Sequence, residues 1–191
     1  MKNNKYEVHI AKASDREAIY QYRYQVFAKE LGQYPKNESQ SLYDERDSYN
    51  TYLVVKEKEK ILGFGSITPP HEKGLSIEQH IKKRGIDFTI PKGTYESRLL
   101  TVLSESRGSQ IAVLLMLAIC RWVSLQGGEL CVALGRYEVM DFYEKFTFKS
   151  TGIEIQSGDV LYHIMQAYVS TFENDNRIKR LADKYAHCIK F

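Results

Sequence analysis

Two residues apart on one mostly apolar segment, TYESRLLTV (94–102), stand a carboxylate, Glu96, and a guanidinium, Arg98. In an extended strand, side chains at i and i+2 share a face, so the two either pair directly or look into one pocket. There the acid could take up a proton, directly or through a water, and the arginine could grip a carboxylate or simply hold Glu96. A second cation sits in an unusual place: Ile19, Tyr22, Val26 and Phe27 recur at helical spacing, and Arg23 falls beside that stripe instead of opposite it. Asp44 and Asp47, in YDERDSYN, are its nearest candidate partners, and two outcomes stay open. They brace Arg23 and Arg46 in a lattice that orders a loop, or they face a ligand. A third feature is SESRGSQIA (104–112), which opens a long apolar helix. Successive N–H groups at a helix start, with Arg107 nearby and Gly108 for flexibility, suit a pyrophosphate; the plain alternative is an ordinary helix start with a solvated arginine.

These residues need elements to hold them. YEVHIA alternates as a half-buried strand, and Ser14 with Glu17 predicts a capped helix from Asp15. TYLVVKEKEKILGFGSITPP reads as two strands around a charged turn, ended by Pro69 and Pro70. LSIEQHIKKRG carries a Ser76/Gln79 capping box and a closing Gly85, which predicts a short helix inserted between strands over 76–84. After the strand at 94–102 come a helix apolar nearly all round and closed by Gly127-Gly128, a strand ELCVAL, a helix YEVMDFYEKF, a long strand DVLYHIMQAYV and an amphipathic helix NRIKRLADKYAHC. That order specifies an α/β (α+β) fold built on one mixed sheet with helices on both faces.

The chain has 191 residues, 43% of them hydrophobic and 27% charged, which suits one domain, 1–191, with 170–191 as its terminal helical segment. No run of about 18 apolar residues could cross a bilayer, and the start lacks an apolar leader core, so a soluble, cytoplasmic protein is expected. Net charge is only +3, and the clusters KEKEK and IKKRG contain acids or adjoin loops, which gives no case for nucleic acid. Cys120, Cys131 and Cys188 are far apart and read as reduced thiols. His71, His80 and His163 show no ligand spacing and read as surface or sheet residues, so no metal is expected. Trp122 reads as core.

From SRLLTV to FYEKFTFKSTG the chain resembles the GNAT acyltransferase superfamily, whose members move an acyl group from a pantetheine thioester to an amine. The resemblance rests on a strand, a basic loop opening a helix, a second strand, and a helix ending in F-Y-x-K-x-G-F. It implies a GNAT fold with a mostly antiparallel sheet. Tyr143 is then the implied general acid that protonates the departing sulfur, with Phe142 and Phe146 as core; packing alone is the plain reading of the same tyrosine. Leu100, Val102, Arg107, Gly108, Ser109, Gln110, Ile111 and Ala112 are the implied donor-binding residues. Gln110 stands where the family pattern has glycine, and so does Thr147. A thiolate leaving group, with a free-Cys pKa of about 8.5, is well served by a phenol proton, a contribution of roughly a hundredfold to ten-thousandfold.

A narrower resemblance covers the first half. YRYQVFAKELG, YDERDSYNTYLVV, GFGS and YESRLLTV are similar to acyl-homoserine-lactone synthases and N-acyl amino acid synthases. It implies that Arg23, Phe27, Asp44, Asp47 and Arg98 enclose the acceptor and that Glu96 is the base. Ser66 replaces the arginine usual on that hairpin strand, and Glu96 lies one position nearer the arginine than the branch has it, which favours an acceptor other than S-adenosylmethionine. The expected reaction is direct acyl transfer from acyl-CoA or an acyl-carrier-protein thioester to a small amine or amino acid. Backbone amides steady the oxyanion and no acyl-enzyme forms, since Cys120 and Cys131 are predicted to be buried. The insertion helix 76–84 and the terminal segment are candidate roofs for an acyl channel or contacts for a carrier protein. The alternatives are a catalytically silent acyl-CoA- or partner-binding module on the same fold, and an ordinary small-substrate acetyltransferase.

Overall fold

The computed structural model describes residues 5–191; the first four residues, part of the stretch read as lacking a leader, lie outside them. The chain runs β1 (Glu7–Ile10), α1 (Ala13–Arg23), β2 (Thr51–Glu57), β3 (Lys60–Thr68), α2 (Ser76–Arg84), β4 (Tyr95–Val102), α3 (Ile111–Leu125), β5 (Leu130–Arg136), α4 (Met140–Glu144), β6 (Lys149–Ser157), β7 (Val160–Tyr168), α5 (Val169–Asn174) and α6 (Asn176–Tyr185). Its seven strands form one sheet in the order β1-β2-β3-β4-β5-β7-β6, antiparallel throughout except where β4 meets β5. This is the mixed sheet expected from the order of elements, and it is mostly antiparallel, as the resemblance implied.

Strand alternation divides the core. Leu53, Val55, Cys131 and Ala133 pack with α3, while Tyr52 and Val54 pack with Ile19 of α1, and Val132 packs with Ile77 and Ile81 of α2. Helices therefore cover both faces, α3 to α6 on one and α1 and α2 on the other. Helix α3 lies close because β3 presents glycines to it: a Cβ on Gly63 would sit 2.7 Å from both the Thr101 carbonyl oxygen and Ile111 Cγ2. The terminal segment does not roof a channel. Ile178, Leu181 and Tyr185 join the cluster around α3, on the face away from α2, and Trp122 meets Phe191 edge-on with ring centroids 5.5 Å apart.

Three local features depart from the sequence expectations. Helix α1 begins at Ala13, not at a Ser14 cap: Asp15 accepts the Lys12 backbone N–H at 2.9 Å and a proton of Lys56 Nζ at 2.7 Å. At α2 the backbone N–H of Leu75 is met by Glu78 at 2.7 Å, so the Ser76/Gln79 box is not the cap that forms. The strand β6 was not predicted; it is the sheet's outer edge, mostly exposed and interrupted by a bulge between Ser150 and Glu154, so no alternating apolar signal marks it.

Two irregularities shape the middle of the sheet. Beyond Arg23 the first helix continues as a π-helix, Tyr24–Glu30, whose wider turn is common at functional sites. In β4, Leu99 and Leu100 together oppose Gly65 of β3, and Leu99 takes a left-handed φ of 57°. Such a bulge re-aims the strand. On its other side β4 pairs with β5 for only three residues, Tyr95–Ser97 against Cys131–Ala133. From Arg98 and Leu134 onward the two central strands part.

Candidate active site

The parting of β4 and β5 opens a cavity of about 940 Å³. Leu99, Leu100, Thr101 and Val102 form one wall and Leu134, Arg136, Val139 and Tyr143 the other. Val26, Phe27 and Glu30 of the π-helix cover it, with Leu31 and Tyr34 just beyond. The roof is tied to the far edge of the sheet: Tyr162 donates to Gln33 Oε1 at 2.7 Å, Gln33 Nε2 donates to Ser157 at 3.2 Å, and Arg84 of α2 donates to the Gln156 carbonyl.

Tyr143 belongs to the last turn of α4 and is 5% exposed. Its ring stands against Gly135, Phe142 and Phe148, which orients the hydroxyl end without bonding it. Among the described residues the hydroxyl has no hydrogen-bond partner. Burial raises its pKa above the ordinary phenol value, with smaller contributions from Cys131 and Tyr162, so the proton is retained at neutral pH. Tyr162, the other cavity phenol, is pushed up to about 12, chiefly by burial, but its proton is committed to Gln33.

Tyr143 and the loop before α3 reach the cleft from the same face of the sheet. Gly108 takes φ 77°, and the amides of Gly108, Ala112 and Val113 find no carbonyl among the described residues, while Ile111 N–H meets Ser109 Oγ at 3.4 Å. Unpaired N–H groups at the start of a fifteen-residue helix suit phosphate oxygens. Of the eight residues assigned to the donor, Leu100, Val102 and Arg107 line the cavity; Gly108, Ser109, Gln110 and Ala112 are not among its lining residues, and the Ile111 side chain is fully buried in the core. Arg107 is half exposed, and its Nη2 donates to Glu30, which closes the loop against the π-helix.

From the opposite face come Glu96 and Arg98. Glu96 is 1% exposed and both its oxygens are held by Ser76, Oε2 by the backbone N–H at 2.6 Å and Oε1 by the hydroxyl. Burial pushes its pKa up, opposed by the charge of Arg98 and by the Ser76 bonds, and the net direction is upward. Ser76 therefore serves the strand, twenty residues away, instead of its own helix. Arg98 does not hold Glu96: its Nη2 donates to Asp44 at 2.8 Å. The two share the cavity instead of forming a pair.

Arg23 and Asp47 form a closed brace. Arg23 Nη1 donates to both Asp47 oxygens at 3.1 and 2.8 Å and to the Tyr52 hydroxyl at 2.8 Å, and Tyr52 donates in turn to Asp47. Arg23, Phe27 and Asp44 reach the cavity wall; Asp47 does not and stands behind Arg23. Asp44 bridges Arg98 and Arg23; burial works against its charge, but Arg98 and then Arg23 outweigh it and hold its carboxyl below the usual carboxylate range. The two aspartates do not brace Arg46 through its guanidinium, since Asp44 meets only its backbone N–H, at 2.9 Å.

The cavity also holds residues that spacing did not single out as site residues, among them Arg46, Ser76, Arg84 and Arg136. His80, read as a surface or sheet residue, lines it as well, with its pKa lowered first by burial and then by Arg84. Among the described residues no His, Cys, Asp and Glu group could hold a metal ion, and no helix is long and apolar enough to cross a membrane. Cys120 and Cys131 are buried; burial raises both thiols, Cys131 to about 12, which leaves neither as a ready nucleophile.

Residues 16–148 match the model of the Acetyltransferase (GNAT) family. A search of curated proteins finds no match. Among solved structures, the chain is similar in fold to BjaI, a CoA-dependent acyl-homoserine lactone synthase with SAM and isopentyl-CoA (TM-score 0.76, 14% identity, covering 97% of this chain and 92% of that one). It is similar also to FeeM, an N-acyl amino acid synthase from uncultured soil microbes (0.69, 15%, 92% and 97%), and to the AHL synthase LasI (0.70, 14%, 86% and 90%).

Proposed function

Because the chain belongs to the acetyltransferase (GNAT) family, we propose that it is an N-acyltransferase that moves an acyl group from acyl-CoA or an acyl-carrier-protein thioester to the amine of a small molecule or amino acid. The observation that carries this reading is the three-residue contact between β4 and β5, which leaves a slot with a protonated phenol on one side and a buried carboxyl on the other. A thioester lying in the slot would have its carbonyl against the backbone of β4. Along that edge, from Arg98 to Val102, any backbone N–H that faces β5 has no ladder partner there and would be a donor to an oxyanion. Tyr143 would give its proton to the departing thiolate, and Glu96 would accept the amine proton, directly or through a water. The thioester supplies the activated acyl group; the unpaired amides at Gly108, Ala112 and Val113 fit a phosphate-bearing donor.

A cavity of about 940 Å³ sits at the upper end of small-molecule sites and has room for more than an acetyl group, which supports a longer donor. The test is thiol release and product mass from acetyl-CoA, long-chain acyl-CoA and an acyl carrier protein, each with a pool of amines and amino acids. Acceptor-dependent thiol release with a matching N-acyl product is the expected result. Donor binding without turnover under every combination would instead favour a silent binding module, a reading that the anchoring of both Glu96 oxygens on Ser76 supports.

A further inference from the structure

A phenol that gives its proton to a leaving thiolate becomes, for a moment, a phenolate. Tyr143 is 5% exposed and, among the described residues, its oxygen has no hydrogen-bond donor to meet that charge. An ionised oxygen taken out of water without a partner is strongly disfavoured. Burial, then Cys131 and Tyr162, all act to keep the proton on Tyr143; Arg136 acts the other way. The same guanidinium opposes burial and Tyr34 at the neighbouring phenol, Tyr162.

The sheet places this cation beside both phenols. Arg136 is the last residue of β5 and stands directly opposite Tyr162 on β7. Residues opposed in this way share a face, with Cβ atoms about 5 Å apart. Gly135, next in the strand, has no side chain, and the Tyr143 ring takes up that room: a Cβ there would lie 3.4 Å from Tyr143 Cδ2. Arg136 and Tyr143 therefore line one wall of the slot, across from β4. The guanidinium is also uncommitted. Arg23 and Arg98 are held by aspartates, Arg84 by the Gln156 carbonyl and Arg107 by Glu30. Among the described residues Arg136 approaches one carboxylate, the 70% exposed Glu138, at 3.9 Å, which is beyond hydrogen-bond range. A surface pair of that kind is worth little.

We propose that Arg136 is the charge partner of the leaving-group acid, steadying the Tyr143 phenolate from the moment its proton passes to sulfur until a proton replaces it. This role rests on the acyltransfer reading and adds to it the group that makes a dry phenol a usable acid. As the C–S bond breaks, its electron pair goes to sulfur and the phenol proton follows. The attacking nitrogen forms the C–N bond and loses one proton to Glu96, and water carries a proton from there back to Tyr143, so the count closes. Arg136 touches neither bond; it acts through Tyr143, by lowering the energy of the state in which that oxygen is charged.

The test has a kinetic arm and an arm that needs no turnover, both on the full chain. Thiol release is measured for the wild type, Arg136→Met, Arg136→Lys, Tyr143→Phe and the double variant Arg136→Met/Tyr143→Phe. Arg136→Met should lower kcat by about ten- to a hundredfold with the donor's KM unchanged, and Arg136→Lys should keep part of the rate. In the Tyr143→Phe background the same change should cost less than about threefold, because no phenolate forms there to be steadied. An undiminished loss in that background, a raised KM with kcat unchanged, or a wild-type rate in Arg136→Met overturns the proposal. For the second arm the chain is grown with a ring-fluorinated tyrosine, which makes the phenols more acidic, and the Tyr143 signal is identified by its absence from Tyr143→Phe. Removing the cation disfavours the phenolate, so fluorine NMR should show the Tyr143 proton leaving at a higher pH in Arg136→Met, by about one unit or more. Titration at the same pH in both proteins, or in neither, also overturns it; should Arg136→Met fail to fold, Arg136→Lys and a glutamine variant at the same position take its place. A shifted titration with no turnover of any donor sinks acyl transfer and leaves the coupling of Arg136 to Tyr143, whereas turnover with an unshifted titration sinks the coupling and leaves acyl transfer standing.

Discussion

Replacing Tyr143 by Phe should separate chemistry from packing more cleanly than any other change in this molecule. The ring fills its place against Gly135 and Phe148, and the hydroxyl has no bond to lose among the described residues, so unfolding free energy should change by less than about 1 kcal/mol. Turnover should behave differently. Proton donation to a leaving group is worth roughly a hundredfold to ten-thousandfold, or about 2.7–5.5 kcal/mol at 1.36 kcal/mol per decade. The assay is thiol release from a long-chain acyl-CoA at saturating acceptor, alongside urea denaturation of both proteins. A second arm uses thioesters whose thiols are more acidic: a leaving group that departs unprotonated needs no phenol, so the gap between variant and wild type should narrow as thiol pKa falls. A loss smaller than about threefold with CoA thioesters, or an equal loss with every leaving group, would refute the assignment.

Ser76→Ala tests Glu96 through its pH dependence. Removing the hydroxyl donor lets burial push the carboxyl further up, so a smaller fraction is ionised at a given acidic pH, and the acidic limb of kcat/KM should move to higher pH; a limb that stays in place with only stability altered would make Glu96 an anchor for α2. Asp47→Ala strands Arg23 in the interior and should cost about 3 kcal/mol by urea denaturation; a change under about 1 kcal/mol would show the brace to be dispensable. Thr147 takes φ 66° with its hydroxyl buried and unpaired, so Thr147→Gly should stabilise by about 1 kcal/mol despite the flexibility glycine adds to the unfolded chain. A lower melting temperature for that variant would contradict it.

Thr147 also shows why one departure from the family pattern was legible and another was not. The chain turns left-handed at Thr147 after α4, a backbone that suits the glycine of the F-Y-x-K-x-G-F pattern, and threonine keeps the turn at a local cost. Most of the sheet could be read in the same way: β2 and β3 alternate around a charged turn, and α3 is apolar nearly all round because it lies buried against β2, β3 and β4. Strand β6 could not, because an exposed edge needs no apolar face. Within the site, Arg23 announced itself by lying beside an apolar stripe, and Tyr143 by its aromatic neighbours. Ser76 misled, because a serine at a helix start looks like a cap, and only the tertiary fold shows its hydroxyl reaching Glu96 on another element. Arg46 was visible only as a partner for aspartates. Its burial is produced by the turn at 45–48 folding inward, which no spacing in the sequence encodes.

The short contact between β4 and β5 has a mechanical meaning as well as a chemical one. Three residue pairs stitch a four-stranded half to a three-stranded half, and the remaining ties across that seam are side chains and helices. A sheet built in this way can widen or narrow its slot by pivoting one half on the other, with neither half losing a backbone hydrogen bond. On the acyltransfer reading, that seam is where a different acyl length would be accommodated, by substitutions that leave both halves of the sheet intact.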